Sequence, residues 1–126
     1  MADVVITSFG YGHAPAPEAD LTIDARRHLR NPHADPRMRE LTGLDAIVRD
    51  HVLATPGAQQ LIRHAAATAK DLLAVARQHP VTVAVGCVGG RHRSTAIACE
   101  ISEALRGQGI AVVVEHRDVA KPVIQK

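Results

Sequence analysis

Val81-Thr82-Val83-Ala84-Val85 is a near-continuous apolar run that passes through Gly86 into a glycine-rich turn and then a helical stripe. A strand that is apolar on both faces is buried on both, which is the pattern of a parallel sheet covered by helices. The rest of the chain keeps that alternation. Val4-Val5-Ile6-Thr7 reads as a first strand, Leu21-Thr22-Ile23-Asp24 as a short second one ending in a carboxylate, and Ile110 to Val114 as the last. Between the first two, Phe9-Gly10-Tyr11-Gly12-His13-Ala14-Pro15-Ala16-Pro17 has the glycines and prolines of a loop, and Arg26 to Arg39 is a second irregular stretch. A short helix is predicted from Asp45 to Ala54, followed by a long one that Thr55-Pro56 would cap and start. Ala58, Leu61, Ile62, Ala65, Ala69, Leu72, Leu73 and Ala76 form its buried face. Ile97, Ala98, Ile101, Ala104 and Leu105 form the face of another helix, stopped by Gly107 and Gly109. The expectation is α/β: residues 1–126 as a single small domain, with a mostly parallel sheet of about four strands flanked by helices. Strand order is not legible at this level.

Composition narrows the function. At 46% apolar and 22% charged, the chain is ordinary for a soluble globular domain, and disordered or fibrous classes are excluded. A net charge of +2 is too small to demand a nucleic-acid or membrane partner, so any basic site must be local. Phe9 and Tyr11 are the whole aromatic complement, too few for a base-stacking platform. No run is long enough to span a bilayer, and no export signal opens the sequence. Cys87 and Cys99 suggest neither a disulfide framework nor a zinc pattern, so a reducing cytoplasm is the expected location and Cys99 a packing residue. The histidines at 51, 64 and 79 show no ligand spacing; no metal and no cofactor are expected.

Chemistry concentrates in Gly86-Cys87-Val88-Gly89-Gly90-Arg91-His92-Arg93-Ser94. A strand, a glycine turn and a helix start make an anion site, because the first N–H groups of a helix lack intrahelical acceptors and point into the turn. Gly89 and Gly90 admit ligand oxygens close to the backbone, and can take the positive φ that a nest of N–H groups needs. Arg93 supplies a two-pronged donor, with Arg91 and His92 as further cationic or hydrogen-bonding groups. Phosphate is the simplest anion for such a set. The loop is not a Walker A sequence, since no Gly-Lys-Ser/Thr follows, so P-loop ATP hydrolysis is not expected.

The same residues resemble the Cys-x5-Arg-Ser/Thr loop of cysteine-dependent phosphatases, with Cys87 as nucleophile and Arg93 as clamp. In that chemistry a thiolate attacks phosphorus and an aspartic acid protonates the leaving group. Asp24, Asp35 and Asp118 are the available acids, and Gly86 stands where those phosphatases commonly carry histidine.

A broader resemblance covers almost the whole chain. Thr7-Ser8-Phe9-Gly10, Asp24-Ala25-Arg26, Asn31-Pro32-His33, Asp35-Pro36, Leu41-Thr42-Gly43-Leu44-Asp45, the Gly86 to Ser94 loop and His116-Arg117 occur in an order that resembles the C-terminal domain of the RapZ family. That family's full-length members carry an N-terminal P-loop nucleotide-binding domain, so a stand-alone second domain is expected here. The resemblance implies a non-enzymatic sensor or adaptor that binds glucosamine-6-phosphate and, in some bacteria, a small RNA. Carried over by position, the phosphate loop falls on Cys87, Gly89, Gly90, His92, Arg93 and Ser94, with Val88 and Arg91 as further ligand-binding candidates inside it, while Asp24 and His33 match residues of the sugar pocket. A carboxylate at Asp24 suits an ammonium or hydroxyls, and His33 can bond to either. The chain departs from the family in having Val88 where threonine is usual, Tyr11-Gly12-His13-Ala14 after Phe9-Gly10, and an extra residue between Arg26 and Asn31.

Arg26, Arg27, Arg30, Arg37 and Arg39 form a basic stretch suited to RNA phosphates, whereas the tail offers only Arg117, Lys121 and Lys126. Alanine-rich helix faces suit packing within a monomer or between the subunits of a homo-oligomer. Nucleotide binding through the loop remains an alternative, because the loop selects phosphate rather than base.

Overall fold

The computed structural model describes residues 2–27, 29, 35–75 and 80–124. The elements follow as β1 (Val4–Gly10), β2 (Leu21–Asp24), α1 (Ala46–Leu53), α2 (Ala58–Val75), β3 (Val81–Cys87), α3 (Arg93–Arg106) and β4 (Val112–His116). The strands form one sheet in the order β2-β3-β1-β4, and every pairing is parallel. This is the α/β architecture that the apolar pattern implies. β3, whose run is the most continuous in sequence, has neighbours on both sides, and Val81, Val83, Val85 and Cys87 enter the core. α3 lies across β1, β3 and β4, α2 packs beside it against β3, and α1 rests on α3. The stripe of α2 buries Ala58, Ile62, Ala65, Ala66 and Ala69, and their small side chains bring the helix close to its neighbours. No described helix is long and apolar enough to cross a membrane.

Four boundaries differ from the sequence expectation. β3 runs past Val85 through Gly86 to Cys87, paired with Phe9 and Gly10 of β1. β1 continues past Thr7 to Gly10, because Ser8, Phe9 and Gly10 pair with Val85, Gly86 and Cys87 of β3, so the loop begins only at Tyr11. α2 starts at Ala58 instead of Pro56, since Gly57 takes φ 92°, which a right-handed helix does not allow. β4 runs from Val112 to His116: Ile110 instead closes the end of α3 by donating to the Leu105 carbonyl after Gly109, which takes φ 79°. Ala76, the expected last member of the α2 stripe, and His79 lie outside the described residues.

The core predicts a graded response to truncation. Ile97 on α3 has no exposed surface, so Ile97→Ala should cost about 2–5 kcal/mol in denaturant unfolding. Val113 on the edge strand is 45% exposed, and Val113→Ala should stay within about 0.5 kcal/mol.

Candidate functional site

Because the strands are parallel, their carboxyl ends share one edge. The register sets Gly10 beside Cys87, Phe9 and Asp24 on either side of Gly86, and Ser8 beside His116. β1 and β3 are neighbours at the centre of the sheet. Ligands of open α/β sheets bind beyond the carboxyl ends of the strands. The Cys87 to Ser94 loop leaves β3 at that edge.

The loop is shaped by backbone contact. A Cβ on Gly10 would stand 2.5 Å from the Gly89 carbonyl carbon and 2.7 Å from the Gly90 nitrogen. Gly90 takes φ 70°, and a Cβ there would meet the Gly10 nitrogen at 2.5 Å. Gly89 faces open space. Inside the turn, the Gly90 N–H donates to Cys87 Sγ at 3.3 Å, and Cys87 Sγ donates to Ser94 Oγ at 3.2 Å. Thr95 Oγ1 donates to the Gly90 carbonyl at 3.2 Å. Among the described residues, the N–H groups of Gly89, Arg91, His92, Arg93 and Ser94 find no acceptor. α3 has no acidic residue in its first turn and no side-chain N-cap bond, so its positive end is unopposed.

The side chains of Arg91, His92 and Arg93 play different parts. Arg93 is 5% exposed; it donates to the Arg26 carbonyl, its Nε has no partner, and it makes no ion pair among the described residues. Burial pushes its pKa below the ordinary value, against the pull of Cys87 and Asp24, which places the guanidinium within electrostatic reach of both. Arg91 instead donates to the carbonyls of Glu40, Leu41, Val119 and Lys121. His92 Nε2 lies 3.0 Å from the Met38 carbonyl and 3.1 Å from that of Arg39, so the proton sits on Nε2; burial lowers its pKa and favours the neutral ring. Arg91 and His92 thus tie the loop to the segment before α1, leaving Arg93 as the loop cation without a carbonyl bracket of that kind.

Around this centre, Asp24 at the end of β2 receives two bonds from the Arg26 guanidinium, at 2.9 and 2.7 Å, and one from the Arg26 N–H. Arg26 also stacks 3.8 Å above the Tyr11 ring, which meets Phe9 edge-on at 4.7 Å. The two rings cover Gly86, where a Cβ would come within 2.4 Å of Phe9, which is why this strand position is glycine. Arg37 pairs with Asp35 at 2.8 Å, while Arg27 is exposed and Arg39 half-buried. Within the basic stretch, two arginines therefore already hold carboxylates. His33 and Arg30 lie outside the described residues. Val88 is partly exposed on the loop, and its carbonyl accepts from Gly12 N–H. His116 is the last residue of β4, not part of the segment after it, and its Nδ1 lies 2.6 Å from Ser8 Oγ.

Asp118 reaches the loop from the other side. It is fully buried; Oδ2 accepts from the Gly10 N–H at 2.7 Å and from Arg117, and Oδ1 pairs with Lys121 at 2.6 Å. Burial opposes its charge, but Arg117, Lys121 and Gly10 together hold its carboxyl down at about 2. Arg26 holds Asp24 below its usual range, and Arg37 holds Asp35 at about 2. None of the three acids that phosphatase chemistry would call on carries a proton at neutral pH. Sequence reasoning offered Asp118 only as an acid. The alternation of charge in Arg117, Asp118 and Lys121 just after an apolar strand was the available sign of its structural part.

Fold and site together define an α/β domain with a strand–glycine loop–helix turn at the carboxyl edge of its sheet. The chain belongs to the RapZ C-terminal domain family, whose model matches residues 2–120. It is 46% identical over 119 residues to a nucleotide-binding protein of Thermus thermophilus, covering 92% of this chain and 42% of that protein. It is 44% identical over 119 residues to a nucleotide-binding protein of Rhodospirillum centenum, covering 92% and 36%. A nucleotide-binding protein of Corynebacterium jeikeium is 40% identical over 119 residues, covering 92% and 40%. The chain thus spans about two fifths of the length of these curated relatives.

Two outcomes follow from the geometry. Gly10→Ala, which forces a Cβ into the Gly89–Gly90 peptide, should destabilise by about 1–3 kcal/mol, whereas Gly89→Ala should fold as the parent does. His92 and His116 are both held below their ordinary value of 6.5 by burial, so the unfolded chain binds protons first on acidification. Their contribution to stability is complete above that value and is lost as pH falls toward the lowered folded values. Denaturant midpoints should therefore drop between about pH 7.5 and about pH 5.5, and less steeply in His92→Gln.

Proposed function

We propose that this domain binds a phosphorylated small molecule, with the Cys87 to Ser94 loop cradling the phosphate, and that it acts as a cytoplasmic metabolite sensor or adaptor. The observation that carries the reading is Arg93: a buried guanidinium with a free Nε and no ion pair among the described residues, carried by a loop whose backbone N–H groups also lack acceptors. Burying an unpaired charge costs several kcal/mol, and a phosphate in the loop supplies the missing counter-charge along with acceptors for the amides. Cys87, Gly89, Gly90, Arg93 and Ser94 line this centre; Arg91 and His92 contribute N–H groups while their side chains brace the loop.

An amino-sugar phosphate such as glucosamine-6-phosphate is the ligand we favour, because the partly exposed Asp24 carboxylate at the neighbouring strand end, although both its oxygens accept from Arg26, keeps lone pairs for an ammonium or hydroxyls. His33 would complete that pocket. A second reading, a nucleotide held by its phosphate in the same loop, draws support from the printed names of the relatives. RNA contact through Arg26, Arg27, Arg30, Arg37 and Arg39 is a weaker extension, since Asp24 and Asp35 already engage Arg26 and Arg37.

Calorimetric titration with glucosamine-6-phosphate, glucose-6-phosphate, a nucleoside triphosphate and inorganic phosphate tests this. The amino-sugar phosphate should bind tightest. Arg93→Met should weaken it by about 2 kcal/mol or more, roughly thirtyfold, without lowering the stability of the unliganded protein. Equal, weak binding of every phosphate would remove the amino-sugar assignment; binding unchanged in Arg93→Met would remove the cradle itself.

A further inference from the structure

The geometry points to Asp118 as a positioning residue, and to the segment Arg117 to Lys121 as a latch whose docking is coupled to phosphate occupancy of the loop. The inference rests on the phosphate-cradle reading and adds a control element to it. A carboxylate with no exposed surface is costly to bury, and none of the chemistry assigned to the loop uses this one. What it touches gives its role. Its Oδ2 fixes the Gly10 N–H at 2.7 Å, and that same nitrogen abuts Gly90, the residue whose φ of 70° turns the loop. A Cβ at Gly90 would come within 2.9 Å of Asp118 Cβ, so the carboxylate stem and the end of β1 hold the turn between them.

A second, independent tie runs the other way. Arg91, the next loop residue, donates to the carbonyls of Val119 and Lys121, at 3.4 and 3.3 Å. The segment therefore holds the loop in two ways, indirectly through the Gly10 N–H that its carboxylate fixes against Gly90 and directly through the Arg91 guanidinium. Its remaining anchors include the Arg117 N–H bond to the Ser8 carbonyl, the Arg117 side-chain bonds to the Pro15, Ala14 and Gly10 carbonyls, the Arg117 guanidinium 5.2 Å from the Phe9 ring centre, and the Lys121 ion pair, whose lysine is half-exposed. No residue from Arg117 to Lys121 belongs to the hydrophobic core cluster, which puts the opening of the segment at the low end of the local stability range. If the docked segment sets the turn in its anion-receiving shape, phosphate must in return favour the docked segment by the same factor. A partner that draws the segment away would release the phosphate, and the phosphate would resist it.

The test uses the full chain with inorganic phosphate as the probe. Amide hydrogen exchange across residues 117–124 is followed with and without phosphate, and phosphate affinity is measured for the parent, Asp118→Asn and Lys121→Met, each well below its own unfolding midpoint. Phosphate should slow exchange at the Lys121 amide, which donates to the Asp118 carbonyl, in the parent. Asp118→Asn should bind phosphate about tenfold more weakly and lose that protection; Lys121→Met should shift both readouts in the same direction by less. A folded Asp118→Asn with unchanged phosphate affinity, or a parent segment indifferent to phosphate that binds, overturns the latch and leaves the cradle intact. Failure of the parent to bind phosphate at all overturns both. Should Asp118→Asn not fold, the parent exchange and Lys121→Met decide the matter, because a purely structural Asp118 would leave exchange insensitive to phosphate.

Discussion

The end of β1 and the Gly89–Gly90 peptide meet backbone against backbone, at a distance that leaves no room for a side chain on Gly10 or Gly90. The rest of the site depends on that contact. It lets β1 extend to Gly10 alongside Cys87, makes Gly90 adopt a φ that L side chains rarely take, and turns a row of amides toward the start of α3. The glycines at 10, 86 and 90 thus have a shared cause in crowding: against the loop for two of them, and under the Phe9 and Tyr11 rings for the third.

Charge is sorted around this contact with unusual asymmetry. Asp118 behind the loop is surrounded by Arg117, Lys121 and the Gly10 N–H, while Asp24 and Asp35 are each taken by a neighbouring arginine. Arg93, at the end of the loop, makes no ion pair among the described residues although it is nearly as buried as Asp118. A protein interior tolerates an unpaired guanidinium poorly, so the arrangement makes sense as a site that becomes electrically complete on receiving an anion. The same sorting leaves the neighbourhood without a protonated acid. Recognition of phosphate is therefore better served here than protonation of a leaving group.

Much of the fold was legible because it rests on local pattern. The alternation of buried-strand runs with three-and-four helical spacing set the element order and the parallel sheet, and the strand–glycine–helix turn marked the anion loop. Boundaries slipped where the deciding partner is distant or the backbone special: β1 is prolonged by pairing with β3, α2 is delayed by Gly57, and Ile110 is claimed by the end of α3.

Within the site, residue types alone made a phosphate-like anion the guest to propose, since glycines, a helix start and arginines suit that chemistry. Only the tertiary structure separated Arg93 from Arg91 and His92, whose side chains find carbonyls contributed by residues 38–41 and, for Arg91, by the segment after β4. It also turned Asp118 from a prospective acid into a buried brace. The physical reason is common to both: a charged group's role is set by what desolvates it and what pairs with it, and those neighbours come from strand ends that are far apart in the chain and adjacent only in the folded sheet.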